Sequence, residues 1–285
     1  MKVAILGTEN SHAIAFARLM KNNPKYADLE LVGVYGYDKA PSQAIVDAGL
    51  TDYIAEKPED FLGKVDAVII TARHGDLHYE YAMPYIKAGI PMFVDKPFCV
   101  KKENALEMIG TAKETGALLC GGSSLKFLEE LKPLRRYANS HTVVGGSLAA
   151  PINMDNEYAG FYFYSQHLIE MLFATFGTEV KSVWAECKDQ KKNRLNVIFE
   201  FENFDVTAQY YDSYIYNAAV YAKEGAMSSA IEDVVYCYEY ELDEFADMVR
   251  SKKMPHSYEL LIKPVTLLAA IEQSYTENKK VEIVW

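Results

Sequence analysis

The sequence predicts an α/β domain followed by an α+β domain, on three observations. Short apolar strands alternate with helical stretches from Met1 to Cys120, the pattern changes after Gly122, and long strands of period two follow. The chain has 285 residues, 50% of them hydrophobic, which is enough to bury two cores of ordinary size.

In the first part, Lys2–Leu6 (KVAIL), Glu30–Tyr35, Val65–Thr71, Pro91–Val94 and Ala117–Cys120 read as strands. Ser11–Lys21, Pro41–Ala48, Leu77–Ala88 and Lys102–Thr115 read as the helices between them. Such alternation implies right-handed crossovers and a parallel sheet with helices on both faces. Pro84 is expected to kink the third helix or delay its start, because proline lacks the N–H of the helical ladder.

In the second part, Leu125–Tyr137 reads as one amphipathic helix bent at Pro133. In Arg194–Asn203 the residues Leu195, Val197, Phe199 and Phe201 share one face, as in a half-buried strand. Phe204–Tyr210 and Tyr214–Ala222 continue the run, with turns at Lys188–Asn193 and Asn203, so an antiparallel meander is expected. Helices return at Tyr240–Arg250 and Tyr258–Ser274, and Lys280–Val284 reads as a last strand. The boundary falls near Gly121-Gly122, giving domains of 1–121 and 122–285, the second with a mainly antiparallel open sheet.

The formal net charge of −11, with no basic run, argues against nucleic acid or an anionic membrane as partner. Lys191-Lys192 and Lys279-Lys280 read as turn surface. The four cysteines are far apart and form no C-x-x-C pair, so reduced thiols in a cytoplasmic protein are expected. The chain opens directly into a strand, so no secretory leader is expected. No apolar stretch approaches the roughly 20 residues of a membrane span.

Gly7-Thr8-Glu9-Asn10-Ser11-His12 follows the first strand and opens the first helix, where a nucleotide-binding turn belongs. The amides and dipole of a helix N-terminus suit a pyrophosphate. Of the G-x-G-x-x-G pattern only Gly7 is kept. Glu9 takes the second position and is wrong there in bulk and charge. It must swing out to solvent, or the cofactor binds weakly or not at all, and Glu9→Gly is expected to tighten binding. After the second strand, where NAD enzymes carry an acid for the ribose hydroxyls, Gly36 stands and Asp38 follows. Asp38 either serves the ribose or caps the next helix. No Arg stands nearby for a 2′-phosphate, which favours NAD over NADP.

Val94-Asp95-Lys96-Pro97 sits at the C-terminal end of a parallel strand, the edge where such sheets bind ligands. Lys96 reads either as an ordinary surface lysine or as an ammonium that holds a substrate hydroxyl in a dry cleft. His74 and His78 are spaced i,i+4 but lack the H-E-x-x-H context, so no metal is expected.

The DKP run after an apolar strand resembles the E-K-P signature of the Gfo/Idh/MocA oxidoreductases (glucose–fructose oxidoreductase and inositol dehydrogenase type). Thr71 with Asp76–Ala82 and Lys87-Ala88-Gly89 resembles the family's T-P-N-x-x-H-x-x-x-A…A-G segment, with His78 on the histidine and without the Pro-Asn. Ser124–Phe127 and Glu241–Phe245 also fit. Tyr164–Glu170 (YSQHLIE) resembles the family's D-x-G-x-H-x-x-D, with His167 on the histidine and Glu170 on the second acid; Phe163 replaces the first acid and Ser165 the glycine. The resemblance implies an N-terminal Rossmann domain and hydride transfer between NAD or NADP and a sugar, sugar acid or cyclitol. It also implies sheet-to-sheet assembly into a homodimer or homotetramer.

Under it Gly7, Thr8, Glu9, Asn10, Ser11, His12, Asp38, Thr71, His78 and Lys96 line the cofactor. Lys96, His167 and Tyr164 are catalytic. His167 takes the hydroxyl proton, Glu170 orients its ring, and Tyr164 stands in for the lost acid. The competing reading is a family member that has lost hydride chemistry and only binds a small ligand. Tyr210, Tyr211, Tyr214 and Tyr216 either stack on sugar rings, line a dimer face or simply fill sheet positions.

Overall fold

The computed structural model describes residues 1–189 and 193–285. The Lys191-Lys192 pair and half of the Lys188–Asn193 turn lie outside the described residues. The chain divides into two compact units. The first holds Met1–Gly122 and also Tyr238–Ile262, and the second holds Ser123–Cys237 and Lys263–Trp285.

The first unit is built on a parallel sheet of β1 (Lys2–Leu6), β2 (Glu30–Tyr35), β3 (Ala67–Ile70), β4 (Met92–Asp95) and β5 (Leu119–Gly122), in the order β2-β1-β3-β4-β5. From Val3 to Leu6 every side chain of β1 is buried, as are all of β3 and β4, because helices cover both faces. Between the strands run α1 (Ser11–Asn22), α2 (Lys39–Asp47), α3 (Gly75–Lys87) and α4 (Lys102–Thr115). The α1 helix starts at Asn10, whose Oδ1 accepts the His12 N–H at 3.2 Å. Ala13, Phe16, Ala17 and Met20 form its buried stripe. The α3 helix starts before Leu77 and continues past Pro84, which lies in its last turn and so breaks little of the ladder.

A later helix, α7 (Cys237–Ser251), supplies Leu242, Phe245, Ala246 and Val249 to the same core as Val3, Ile5, Phe16 and Phe93. Polar contacts fix it: Tyr26 donates to Asp243 at 2.7 Å, and Arg250 pairs with Asp28 at 2.6 Å.

The second unit differs from expectation in two places. The stretch at Leu125–Tyr137 is not one bent helix. A short 3-10 turn, Ser124–Phe127, precedes α5 (Leu131–Ser140). Pro133 lies in the first turn of α5, where its missing N–H would have had no partner, so it starts the helix rather than bending it.

The sheet is also not a simple meander. Its strands are β6 (Val143–Pro151), β7 (Ser182–Asp189), β8 (Arg194–Glu200), β9 (Asp205–Tyr211), β10 (Tyr216–Ala222), β11 (Gly225–Ile231) and β12 (Val281–Glu282). Their order is β11-β10-β6-β9-β8-β7-β12. β6 enters between β9 and β10 and pairs parallel with β9, Leu148 opposite Ala208. The remaining pairs are antiparallel.

One face of this sheet, carrying Val183, Val197, Phe199, Val206, Leu148 and Val220, is buried. Against the unit's core lies α6 (Tyr162–Phe176), in which Ser165–Leu172 are all buried. The approach is close: a side chain at Gly146 would overlap the Phe176 ring, and Tyr210 donates to the Ser165 carbonyl at 2.8 Å. The last helix, α8 (Tyr258–Glu277), meets the sheet where Ser274 accepts the Ala185 N–H at 2.8 Å. Among the described residues no helix is long and apolar enough to cross a membrane, and none of the four cysteines forms a disulfide.

Candidate active site

The turn after β1 is held from three sides. Gly7 has φ 91°, and a side chain there would run into the Ala72 backbone. Its N–H donates to the Tyr35 carbonyl at 2.7 Å, and its carbonyl accepts the Thr71 hydroxyl at 2.8 Å. Thr8 Oγ1 lies 2.7 Å from Ser42 Oγ of α2. Ser11 is exposed at the helix start.

Glu9 does not swing to open solvent. Its Oε1 accepts the Asp38 N–H at 3.2 Å, beyond the end of β2. Gly36 makes room for it, since a side chain at that position would collide with Thr8 Oγ1 and Glu9 Oε1. Oε2 of Glu9 is buried without a hydrogen-bond partner among the described residues. Burial pushes the Glu9 carboxyl above the usual range, against the backbone N–H groups that favour its charge. Asp38 is exposed and its Oδ1 accepts the Ala40 N–H at 3.0 Å, which is the capping role.

Asp95 gathers the next set of contacts. It is fully buried. Oδ2 accepts the Asn10 side-chain amide at 3.0 Å and lies 2.7 Å from His12 Nδ1, while Oδ1 accepts the Lys96 N–H at 2.7 Å. The His12 ring also packs on Tyr238, with centroids 4.4 Å apart. Burial alone would raise the Asp95 carboxyl; the neighbouring His12 and Lys96 outweigh it and hold it below the usual range. Lys96 is buried in turn, and burial pushes its ammonium down, partly countered by Asp95 and Glu241.

The Lys96–Pro97 bond is cis. His78 is fully buried, with Nδ1 at 2.6 Å from the Pro97 carbonyl and Nε2 at 2.8 Å from the Ala72 carbonyl. Both its nitrogens therefore join the β3 and β4 turns. Among these residues Asp95 was not singled out from the sequence, although its place as the acid of DKP was a readable signal.

The second unit holds its own buried polar cluster. His167 is 7% exposed, and its Nδ1 lies 2.6 Å from the Ser123 hydroxyl. Glu170 Oε1 accepts the Gln166 amide at 3.1 Å and faces the Ser123 N–H at 3.4 Å. Ser123 is thus a hydrogen-bonding partner of Nδ1, and Glu170 faces the backbone N–H of Ser123. Tyr164 is half-buried, its ring 5.4 Å from the His167 ring. Phe163 packs between Tyr158 and Tyr164. Tyr210 and Tyr216 are buried sheet residues, and Tyr214 is exposed. Of the expected site residues, Lys96 and the turn residues belong to the first unit, and His167 and Tyr164 to the second.

Residues 1–123 match the Gfo/Idh/MocA oxidoreductase family, described as an NAD-binding Rossmann fold. A UDP-kanosamine synthase oxidoreductase subunit of Amycolatopsis mediterranei (strain S699) is 27% identical over 113 residues, 39% of this chain. That match spans only 31% of the relative's own length.

Among solved structures, GenD2 from gentamicin A biosynthesis, in complex with NAD, superposes with a TM-score of 0.87 at 16% identity, covering 100% of this chain and 97% of that one. The myo-inositol dehydrogenase of Lactobacillus casei, in complex with NAD(H) and myo-inositol, gives 0.85 at 14% identity over 100% and 97%. The WlbA dehydrogenase of a Chromobacterium violaceum, with NADH and UDP-GlcNAcA, gives 0.82 at 16% over 100% and 96%. At these identities the likeness is one of fold. Residues 1–123 thus match the NAD-binding Rossmann domain of the Gfo/Idh/MocA oxidoreductases, and the whole chain shares the two-domain fold of these solved structures.

Proposed function

We propose that the protein transfers hydride between NAD and a carbinol carbon of a sugar, sugar acid or cyclitol, with NAD preferred over NADP. The observation that carries this reading is the bridge from the Gly7–His12 turn to the DKP turn through Asp95, which receives Asn10 and lies against His12. It ties the place for a pyrophosphate to the place for a reacting hydroxyl, as a dehydrogenase requires.

The residues present fit the cofactor. The turn offers a helix N-terminus whose glycine position is closed to any side chain, and Glu9 has carried its charge away toward β2. The unpartnered, buried Glu9 Oε2 suits the hydroxyl donors of a ribose. Thr71 and His78 hold the surrounding turns in shape, and Asp38 sets the start of α2. NAD, when bound, supplies the carbon that accepts the hydride.

Lys96, as an ammonium, favours an oxygen on which negative charge develops, and its depressed pKa makes that proton easier to give back. His167 exchanges the hydroxyl proton, and Tyr164 adds a second hydrogen-bonding group beside it. The test is a screen of polyols and sugar acids with NAD and NADP, followed by Lys96→Ala and His167→Ala on the substrate found. Each variant should lose most turnover and keep NADH affinity; wild-type turnover in His167→Ala would remove it from the site.

A further inference from the structure

We infer that an acid and a glycine of the nucleotide site have exchanged places in this chain. Glu9 of the turn supplies the carboxylate that selects NAD over NADP, and Gly36 after β2 is the seat that receives it. The inference rests on the reading of the first unit as an NAD site and names the pair of positions that reads the ribose there.

In a dinucleotide-binding turn the second glycine keeps the backbone clear for the pyrophosphate, and an acid after β2 receives the ribose hydroxyls. Here the acid stands at the glycine position and the glycine at the acid position. The two departures fit one another in space. The backbone at Gly36 takes no positive φ, so its conformation is open to other residues. Its neighbours are what exclude a side chain: a Cβ there would lie 2.8 Å from Glu9 Oε1 and would overlap Thr8 Oγ1. Thr8 is held in place by the Ser42 hydroxyl at 2.7 Å. Glu9 thus ends in the space that a side chain at position 36 would take.

The carboxylate is fixed there through one oxygen. Oε1 accepts the Asp38 N–H at 3.2 Å, while Oε2 is shielded from water with no hydrogen-bond partner among the described residues. An unpaired buried carboxylate oxygen costs free energy, and a hydroxyl donor relieves that cost. The last torsion of a glutamate side chain is soft, so the carboxylate can turn its unpaired oxygen toward a hydroxyl. The neighbouring acid already has another task, since Asp38 Oδ1 accepts the Ala40 N–H and starts α2. A negative charge at this place also repels a 2′-phosphate, so the arrangement selects against NADP.

Calorimetric titration of NADH and NADPH into the full-length protein tests this without any substrate. Wild type should bind NADH more tightly than NADPH. Glu9→Ala should lose about ten-fold in NADH affinity and leave NADPH little changed, so that the preference collapses. Asp38→Ser keeps a capping hydroxyl and should keep the preference. Moving the acid back should rescue it: Thr8→Ala/Glu9→Gly/Gly36→Asp clears position 36 and should regain the NADH preference that Thr8→Ala/Glu9→Gly has lost. A side chain that merely joined the turn to β2 would change both affinities alike and leave the preference where it was. The inference is overturned by a Glu9→Ala that keeps the preference, by an Asp38→Ser that loses it, or by a folded triple variant no better than the double. The two single variants decide the matter if the triple variant fails to fold. A wild type that binds neither cofactor overturns the proposed function, and this inference with it. A wild type that prefers NADH to the same degree as Glu9→Ala overturns this inference alone.

Discussion

The His12 ring, in the turn after β1, lies 2.7 Å from the Asp95 carboxylate at the end of β4. Two turns from distant parts of the chain thus share one buried anion, with the Asn10 amide and the Lys96 N–H completing its contacts. A buried carboxylate is stable only with this many partners.

Asp95→Asn should therefore destabilise the protein by about 3 kcal/mol, because it removes the buried negative charge beside His12 and Lys96 and puts an NH2 donor where one of the two acceptor oxygens stood. Denaturant unfolding at neutral pH measures this. The same residue sets a pH dependence. The folded-state pKa of Asp95 lies below its unfolded value, so its contribution is present above the ordinary carboxylate range and is lost as pH falls through the folded value. Wild-type stability should fall on acidification more steeply than that of Asp95→Asn; parallel curves would show that Asp95 contributes none of the slope.

Glu9 is the second test. Its carboxylate is spent beyond β2, which removes the reason to expect that Glu9→Gly tightens the cofactor. With Oε2 available to a ribose, Glu9→Gln should weaken NADH binding about ten-fold, on the order of 1.4 kcal/mol. It should also narrow the preference for NADH over NADPH, since a 2′-phosphate no longer meets a charge. Calorimetric titration of both cofactors reads both effects. Equal affinities in wild type and variant would take Glu9 out of the ribose site.

Most of the first unit was legible because its strands are short unbroken apolar runs, as in β1, β3 and β4. What escaped depends on long-range pairing. The β6 strand reads VVGGSLAAP, with small residues and little alternation, and only β9 and β10 on either side make it a strand. The return of α7 to the first core left no trace either, since an amphipathic helix does not name the core it covers. In the site, Lys96 and His167 stood out through their motifs. Ser123 did not, because a serine in a Gly-Ser run reads as loop until the fold brings it to a residue 44 positions away.

Assembly is the third test. The outer face of the second unit's sheet carries Trp184 beside Ile198 and, further along, Tyr221, all exposed, among short polar and small side chains. We expect this face to be covered by a second copy, giving a homodimer or homotetramer. Light scattering at micromolar concentration should show it, and Ile198→Lys should shift the mass toward the monomer. A monomeric wild-type protein would contradict the expectation.

The most direct measurement for the account as a whole is a fluorescence titration of NADH into the wild-type protein. Saturable binding, with NADPH binding more weakly, is the result the account predicts. Absence of saturable NADH binding would contradict it, and would leave a protein with this fold that holds a small ligand without hydride chemistry.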